Sequence, residues 1–307
     1  MEILKLAPFF SERLWGGQKL KEMGFKTPIN KKIGEAWVIS AHDNGMSYVD
    51  SPGAYEGISL KDLFAKHPEL FGNTAYEEYP LLVKIITAKD YLSVQVHPDD
   101  EYAQKNHNSL GKPESWYVLE APKESSLIYG HNAKNPEEFK SMVEDGSWDK
   151  LLKKEAIEEG DFLYVPPGKV HAITPEVVIY ELQRSSDITY RLYDYDRLDD
   201  QGNARELHIK ESLDNTKIPD TDHFVTKKAK GKVFSSEFFS LEVVEGAYQK
   251  EYICPESTDW LQITAIKGSG TINGIKFAKA QSAITIKGIE KMIITGNLKI
   301  LVSWIKK

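Results

Sequence analysis

Apolar positions along this chain fall mostly into short β-branched or aromatic runs closed by Gly, Pro, Asn or Asp, as in "PLLVKIITAKD", "SWYVLEAP", "SSLIYG", "DFLYVPPG" and "VVIYELQ". That pattern predicts strands. Helical spacing is rare. "SLKDLFAKHPEL" opens with a capping pair, Ser59 and Asp62, and sets Leu60, Leu63 and Phe64 on one helical face. "NPEEFKSMVEDGSWDKLLKKEA" predicts two short helices broken at Gly146, the first with Pro136 near its start, and "ARELHIKESLDN" a third helical site. The run "KKEAIEEGD" reads as a solvated helix end. Beyond "DNTKIPDTDH" only strand-like runs remain, separated by turns such as "KGSG" and "NG". A boundary near Ile218 to His223 therefore divides the chain into residues 1–219 and 220–307. Placing Gly168 over Gly288 aligns two strand–glycine turn–strand units and sets His171 over Lys291. The expected fold is mainly β, two related barrel units with a few short helices.

One run breaks the simple alternation. In "YLSVQVHPDD", residues 91–100, Leu92, Val94 and Val96 suit a core, while Ser93, Gln95 and His97 share the opposite side. That side faces either water or a polar cavity.

Composition narrows the function classes. The chain has 307 residues, 41% apolar and 28% charged, as a soluble globular protein does. No run is long enough to span a membrane, and "MEILKLAPFF" lacks a basic leader, so a cytoplasmic location is expected. A net charge of −7 with no Lys/Arg stripe argues against nucleic acid as a partner. A pocket answers to its local field, however, and a few cations can still bind a small anion. Cys254, the one cysteine, forms no internal disulfide and is expected to be a small buried hydrophobe.

The candidate chemistry lies in three segments. In "EEGDFLYVPPGKVHAI", Gly160 and Asp161 suit a turn, Phe162 to Val165 a strand, and Pro166, Pro167 and Gly168 a tight corner that delivers His171 onto the next strand. This arrangement resembles the second motif of cupin barrels, in which that histidine is a metal ligand. "SVQVHPDD" and "GKPESWYVLE" supply His97 and Glu114, with Gln95 on the face of His97. Two imidazoles and a carboxylate, with an amide oxygen as a fourth donor, suit a divalent metal that keeps a position open. His42, His67, His107, His131, His208 and His223 read as surface or turn histidines.

Taken together, "RLWGG" (13–17), "GEAWVIS" (34–40), "PLLVKII" (80–86), "VQVHPDD" (94–100), "GKPESWY" (111–117), "VPPGKVHAI" (165–173) and "ELQRSSDITYRLYDYDR" (181–197) resemble the type I zinc-dependent mannose-6-phosphate isomerases in their short bacterial form. The likeness is dense from residue 13 to about 213 and thin after 220. It implies two cupin-like jelly-roll units, the second of them structural. It implies one zinc per chain, with His97, Glu114 and His171 in its shell and Gln95 either a fourth ligand or, in the short form, beside the metal without binding it. It makes Arg191 the active-site arginine, sets Lys112, Glu181 and Asp187 around a sugar phosphate, and puts Trp15, Glu35 and Lys84 near the pocket.

The implied reaction moves a proton between C2 and C1 of mannose 6-phosphate and fructose 6-phosphate through a cis-enediol. A Lewis acid and cationic donors stabilise the developing charge, and a carboxylate carries the proton, Glu181 first and Asp187 behind it. Arg191 and Lys112 are the candidates to grip phosphate or oxyanion. Two rivals stay open: a cupin non-haem iron oxygenase, which also uses two histidines and a carboxylate, and a sugar-phosphate-binding protein without turnover. Whether the chain works as a monomer or a homodimer is also open.

Overall fold

The computed structural model describes residues 2–199, 201–246 and 248–306. Three large antiparallel sheets and a two-stranded ribbon of Ala41–His42 and Gly45–Met46 build it. A five-stranded sheet runs in the order Leu152–Ala156, Ser126–His131, His171–Ala172, Val94–Val96, Tyr190–Tyr193. A seven-stranded sheet runs Val225–Thr226, Phe162–Val165, Glu114–Glu120, Val178–Arg184, Leu81–Thr87, Ile33–Ile39, Phe9–Gly17. The nine-stranded third sheet is built on Gln262–Ile272 and Lys291–Trp304, and it takes in Ile3–Ala7, which pairs with Ser282–Thr285. The mainly β architecture expected from the short apolar runs is present. Among the described residues no helix is long and apolar enough to cross a membrane.

Period-two alternation decides which face meets which layer. In Leu81–Thr87, the side chains of Leu81, Val83 and Ile85 enter a core shared with Leu241, Val243, Ile284 and Leu301 of the nine-stranded sheet. Tyr180 and Leu182 join them. Lys84 and Glu181, one residue out of phase, are thereby turned toward the five-stranded sheet. That sheet buries Val94, Ile128, Ala172 and Leu192 beneath Phe139 and Leu151 of its covering helices. His171, Gln95 and Arg191 are out of phase with those apolar residues and face inward. The far side of the nine-stranded sheet closes over a second core containing Val244, Ile263, Ile300 and Val302.

The helices match the sequence in part. Ser59 caps Leu60–Lys66 by accepting from the Asp62 amide, and Asn135 caps Pro136–Glu144, which is followed by Trp148–Leu151. Of "ARELHIKESLDN" only Ile209–Asn215 is helical. The run "KKEAIEEGD" is not a helix end. Leu152–Ala156 is an edge strand paired with Ser126–His131, and its lysines and glutamate lie on the rim of a sheet, where charge blocks further pairing. His131 is likewise no surface histidine: it is buried, packs edge-on against Phe139, and its Nε2 lies 3.0 Å from the Lys217 carbonyl. Cys254 is half-buried against the second core.

Gly168 and Gly288, matched in the internal alignment, both turn with positive φ, 84° and 100°. Lys291, the counterpart of His171, is an exposed residue paired with Glu251 at 2.9 Å. Among the described residues the one close grouping of three His, Cys, Asp or Glu ligand atoms is His97, Glu114 and His171.

Candidate metal centre and sugar-phosphate cavity

The polar row on the Val94–Val96 strand is not a solvated face. Ser93 and His97 are buried, Gln95 is half-buried, and Ser93 and Gln95 line a cavity of about 410 Å³ between the five- and seven-stranded sheets. Sheet register sets the rest of its walls. Gln95 pairs with His171 on one side and with Arg191 on the other, which aligns the three side chains across the sheet. At about 4.8 Å per strand, Arg191 stands roughly 10 Å from His171. On the opposite sheet Trp37, Lys84, Glu181 and Trp116 form a second cross-strand row.

The His–Glu–His group has the tautomers and the crowding of a cation site. The Nδ1 of His97 lies 2.9 Å from the Ile188 carbonyl and that of His171 2.7 Å from the Lys169 carbonyl. A carbonyl only accepts, so each Nδ1 carries the hydrogen and each Nε2 a lone pair. Those two Nε2 atoms face each other at 3.1 Å, and the Glu114 oxygens lie 3.3 and 3.4 Å from them. Glu114 Oε1 is buried with no hydrogen-bond donor among the described residues. The Lys112 ammonium reaches only His97 Nε2 and Glu114 Oε2, which leaves the His171 Nε2 and Glu114 Oε1 lone pairs facing each other at 3.4 Å, so the donor set fits a divalent metal.

Protonation states agree. Burial and the nearby Lys112 ammonium push the His97 imidazole down to about 4, and burial lowers His171 as well. Burial alone would raise Glu114, but Lys112 and the two histidines hold it well below the usual carboxylate range. Unprotonated imidazoles beside an ionised carboxylate are the metal-binding forms. Lys112 Nζ lies 3.0 Å from His97 Nε2 and donates a short hydrogen bond to Glu114 Oε2.

Across the cavity, Glu181 is held from both sides. Lys84 Nζ lies 2.9 Å from its Oε2, and Trp116 Nε1 donates to Oε1 at 3.3 Å. Burial works against the Lys84 charge, but Glu181 and Glu35 overcome it and raise its pKa, so Lys84 remains a cation. Glu35 accepts from Arg13 at 3.0 and 3.1 Å and from Trp37 Nε1 at 2.7 Å. Burial would raise its carboxyl, yet Lys84 and Arg13 keep it below the ordinary value.

Arg191 donates through Nη1 to the Glu206 carbonyl at 2.6 Å, while its Nε is buried with no partner among the described residues. Burial and the neighbouring Arg205 oppose its charge. Arg205 is itself fixed on Asp194 by bonds of 2.7 and 2.5 Å. Asp187 sits at the rim, 42% exposed, beside Asn44 and 3.7 Å from His42 Nε2. Trp15 walls the cavity, and beyond it opens a larger cleft of about 660 Å³ lined instead by Gln18, Lys19, Lys89 and Glu176.

The structure thus gathers Gln95, Lys112, Glu181, Arg191, Trp15, Glu35, Lys84 and Asp187 around one space, with the ligand group at its edge. Sequence reading missed Arg13 and Arg205, which complete a wall of five cations, Arg13, Lys84, Lys112, Arg191 and Arg205, against the acids Glu35, Glu181 and Asp187. Arg13 had a legible signal, two residues from Trp15 on one strand. Four of these cations are paired with carboxylates, Arg13 with Glu35, Lys84 with Glu181, Lys112 with Glu114 and Arg205 with Asp194, which leaves Arg191, without a carboxylate partner among the described residues, as the one best placed to take an anion.

The chain is similar to known proteins of one family. Residues 3–124 match the family described as phosphomannose isomerase type I, catalytic domain. The chain is 50% identical over 214 residues to the mannose-6-phosphate isomerase of Streptococcus mutans, covering 69% of this chain and 67% of that one. It is 47% identical over 219 residues to mannose-6-phosphate isomerase ManA of Bacillus subtilis, covering 71% and 69%. The crystal structure of mannose 6-phosphate isomerase from Bacillus subtilis superposes with a TM-score of 0.93 at 34% identity, over 99% of this chain and 100% of that one.

Proposed function

This chain belongs to the type I phosphomannose isomerases, and from that premise we propose that it interconverts mannose 6-phosphate and fructose 6-phosphate by proton transfer in the cavity between its two catalytic sheets. The observation that carries the reading is a His–Glu–His ligand group set directly behind Lys112 and Gln95, two residues that line the cavity holding the Lys84–Glu181 pair and the remaining cations.

In this reading His97, Glu114 and His171 hold one zinc per chain, with the Gln95 side-chain oxygen as a fourth donor. A metal held there would supply Lewis acidity that makes the C2–H bond of the sugar more acidic. Glu181 takes the C2 proton of the aldose and returns it to C1, so the carbon skeleton gains and loses nothing. Lys84 and Trp116 hold that carboxylate in place. Lys112 donates to the oxygen on which charge develops and serves the hydrogen shift between O1 and O2. Arg191, backed by Arg205 and roughly 10 Å from His171, takes the phosphate at the far end of an extended sugar chain. Glu35 orients Arg13, Trp15 closes the wall, and Asp187 guards the rim. Residues 1–219 supply every group that meets the metal or the sugar, and 220–307 supply support. A phosphate ester is retained inside cells by its charge, so the reading carries a cytoplasmic location.

The test is conversion itself. Metal-loaded protein is expected to form fructose 6-phosphate from mannose 6-phosphate without consuming dioxygen, and to leave free mannose essentially untouched. Folded, loaded protein that does not convert mannose 6-phosphate would reject the proposal, and oxygen uptake would favour a cupin oxygenase.

Arg191→Ala separates the anion site from the metal. Bound zinc is expected to stay near one per chain while kcat/KM falls by a factor on the order of a thousand. Elemental analysis beside steady-state kinetics reads both, and a metal-free variant would show that Arg191 supports the ion instead.

A further inference from the structure

The segment that follows the helix Ile209–Asn215 carries buried charge for which isomerisation has no use. Lys169 and Asp220 form an ion pair at 2.7 Å, their side chains 3% and 5% exposed. The same ammonium donates to the Asp222 carbonyl at 2.5 Å and lies 4.4 Å from the centre of the Tyr129 ring. All its hydrogens therefore have somewhere to go. The other Asp220 oxygen accepts from the His131 amide at 3.1 Å. This carboxylate lies so close to Gly130, where φ is +100°, that a Cβ there would stand 1.8 Å from it.

What the pair holds is the corner between the two catalytic histidines. The Lys169 carbonyl is the acceptor, at 2.7 Å, that puts the hydrogen of His171 on Nδ1. The preceding residue, Gly168, donates its amide to the His97 carbonyl at 3.0 Å and accepts from the Lys217 amide at 2.9 Å. One short corner thus touches both imidazole-bearing residues, and residues 217–222 hold it from outside.

We propose that Lys169 and Asp220 are positioning residues for the metal centre, setting the orientation and tautomer of His171 and the backbone of His97 through this corner. The inference rests on the metal-binding reading of His97, Glu114 and His171. A buried ion pair stabilises a fold no better than apolar packing of the same volume, whereas it fixes geometry well when every lone pair and hydrogen is used. Outer partners of this kind commonly govern metal affinity by a factor of about 10 to 100.

The experiment is a zinc titration of metal-free protein against a chromophoric chelator, with circular dichroism to check the fold. Asp220→Asn keeps the shape and an acceptor for His131, and Lys169→Met keeps the apolar stem. Both are expected to remain folded and to bind zinc about 10- to 100-fold more weakly than the unaltered chain. A folded variant of either kind that binds zinc as tightly as the unaltered chain would overturn the proposal. Loss of the fold in both would overturn it too, because the pair would then be a support of the barrel. The unaltered chain and His171→Ala run alongside: if the first takes up no zinc, or the second binds equally well, the metal reading itself fails.

Discussion

His171→Ala is expected to abolish measurable isomerase activity and to weaken metal binding by roughly a thousandfold, while the protein stays folded. If about 10–16 kcal/mol of binding is shared by three ligands, removing one forfeits ~4 kcal/mol, and each 1.4 kcal/mol is tenfold. The fold survives for a structural reason. His171 holds its place through backbone pairing with Tyr129 and Gln95, and the adjacent Ala172 supplies the packing toward the helical side. The hole left by the ring costs roughly 2–4 kcal/mol, within the ~5–15 kcal/mol by which domains are stable. Metal analysis after gel filtration, together with a thermal melt, reads both halves. A variant that retains one zinc, or one that unfolds outright, would contradict this expectation.

Glu181→Gln is the second large effect. The substitution keeps size and hydrogen-bonding shape but removes the base, and kcat is expected to fall by about 10²–10⁴ with little change in KM. Metal content should not move, since Glu181 belongs to the Lys84 and Trp116 row and not to the His–Glu–His group. Steady-state kinetics on zinc-loaded protein decides. A rise in KM alone would make Glu181 a binding residue, and loss of zinc would place it in the metal's support.

Much of this site can be read before folding because strands alternate. Ser93, Gln95 and His97 mark one polar face as soon as Val94 and Val96 are given to the core, a face the local pattern leaves open to either water or a cavity, and the Pro-Pro-Gly corner announces a fixed His171. What stayed hidden depends on register between distant segments. Lys84 and Glu181 were each visible, but their pairing needs two strands to align. Arg205 comes from a loop with no local pattern and reaches the cavity because Asp194 holds it. The helix Asp100–His107 escaped notice because only Ala103 is buried and no apolar stripe marks it, although Asp99 is a sound cap. Lys and Glu in Leu152–Ala156 imitated a helix because both are good helix formers, and an exposed sheet edge tolerates them for their charge alone. His131 was misjudged because its burial is set by Phe139, on the helix that follows its strand, and by Lys217, remote in sequence.

The claim on which everything turns is that one metal ion at His97, Glu114 and His171 drives isomerisation of mannose 6-phosphate. Protein dialysed against chelator, shown to be metal-free by elemental analysis and folded by circular dichroism, is assayed while zinc is titrated back. Activity is expected to start at background and to rise in proportion to zinc up to one equivalent per chain, then to stay level. Full turnover in the metal-free protein, or a rise that continues to a second equivalent, would contradict the claim.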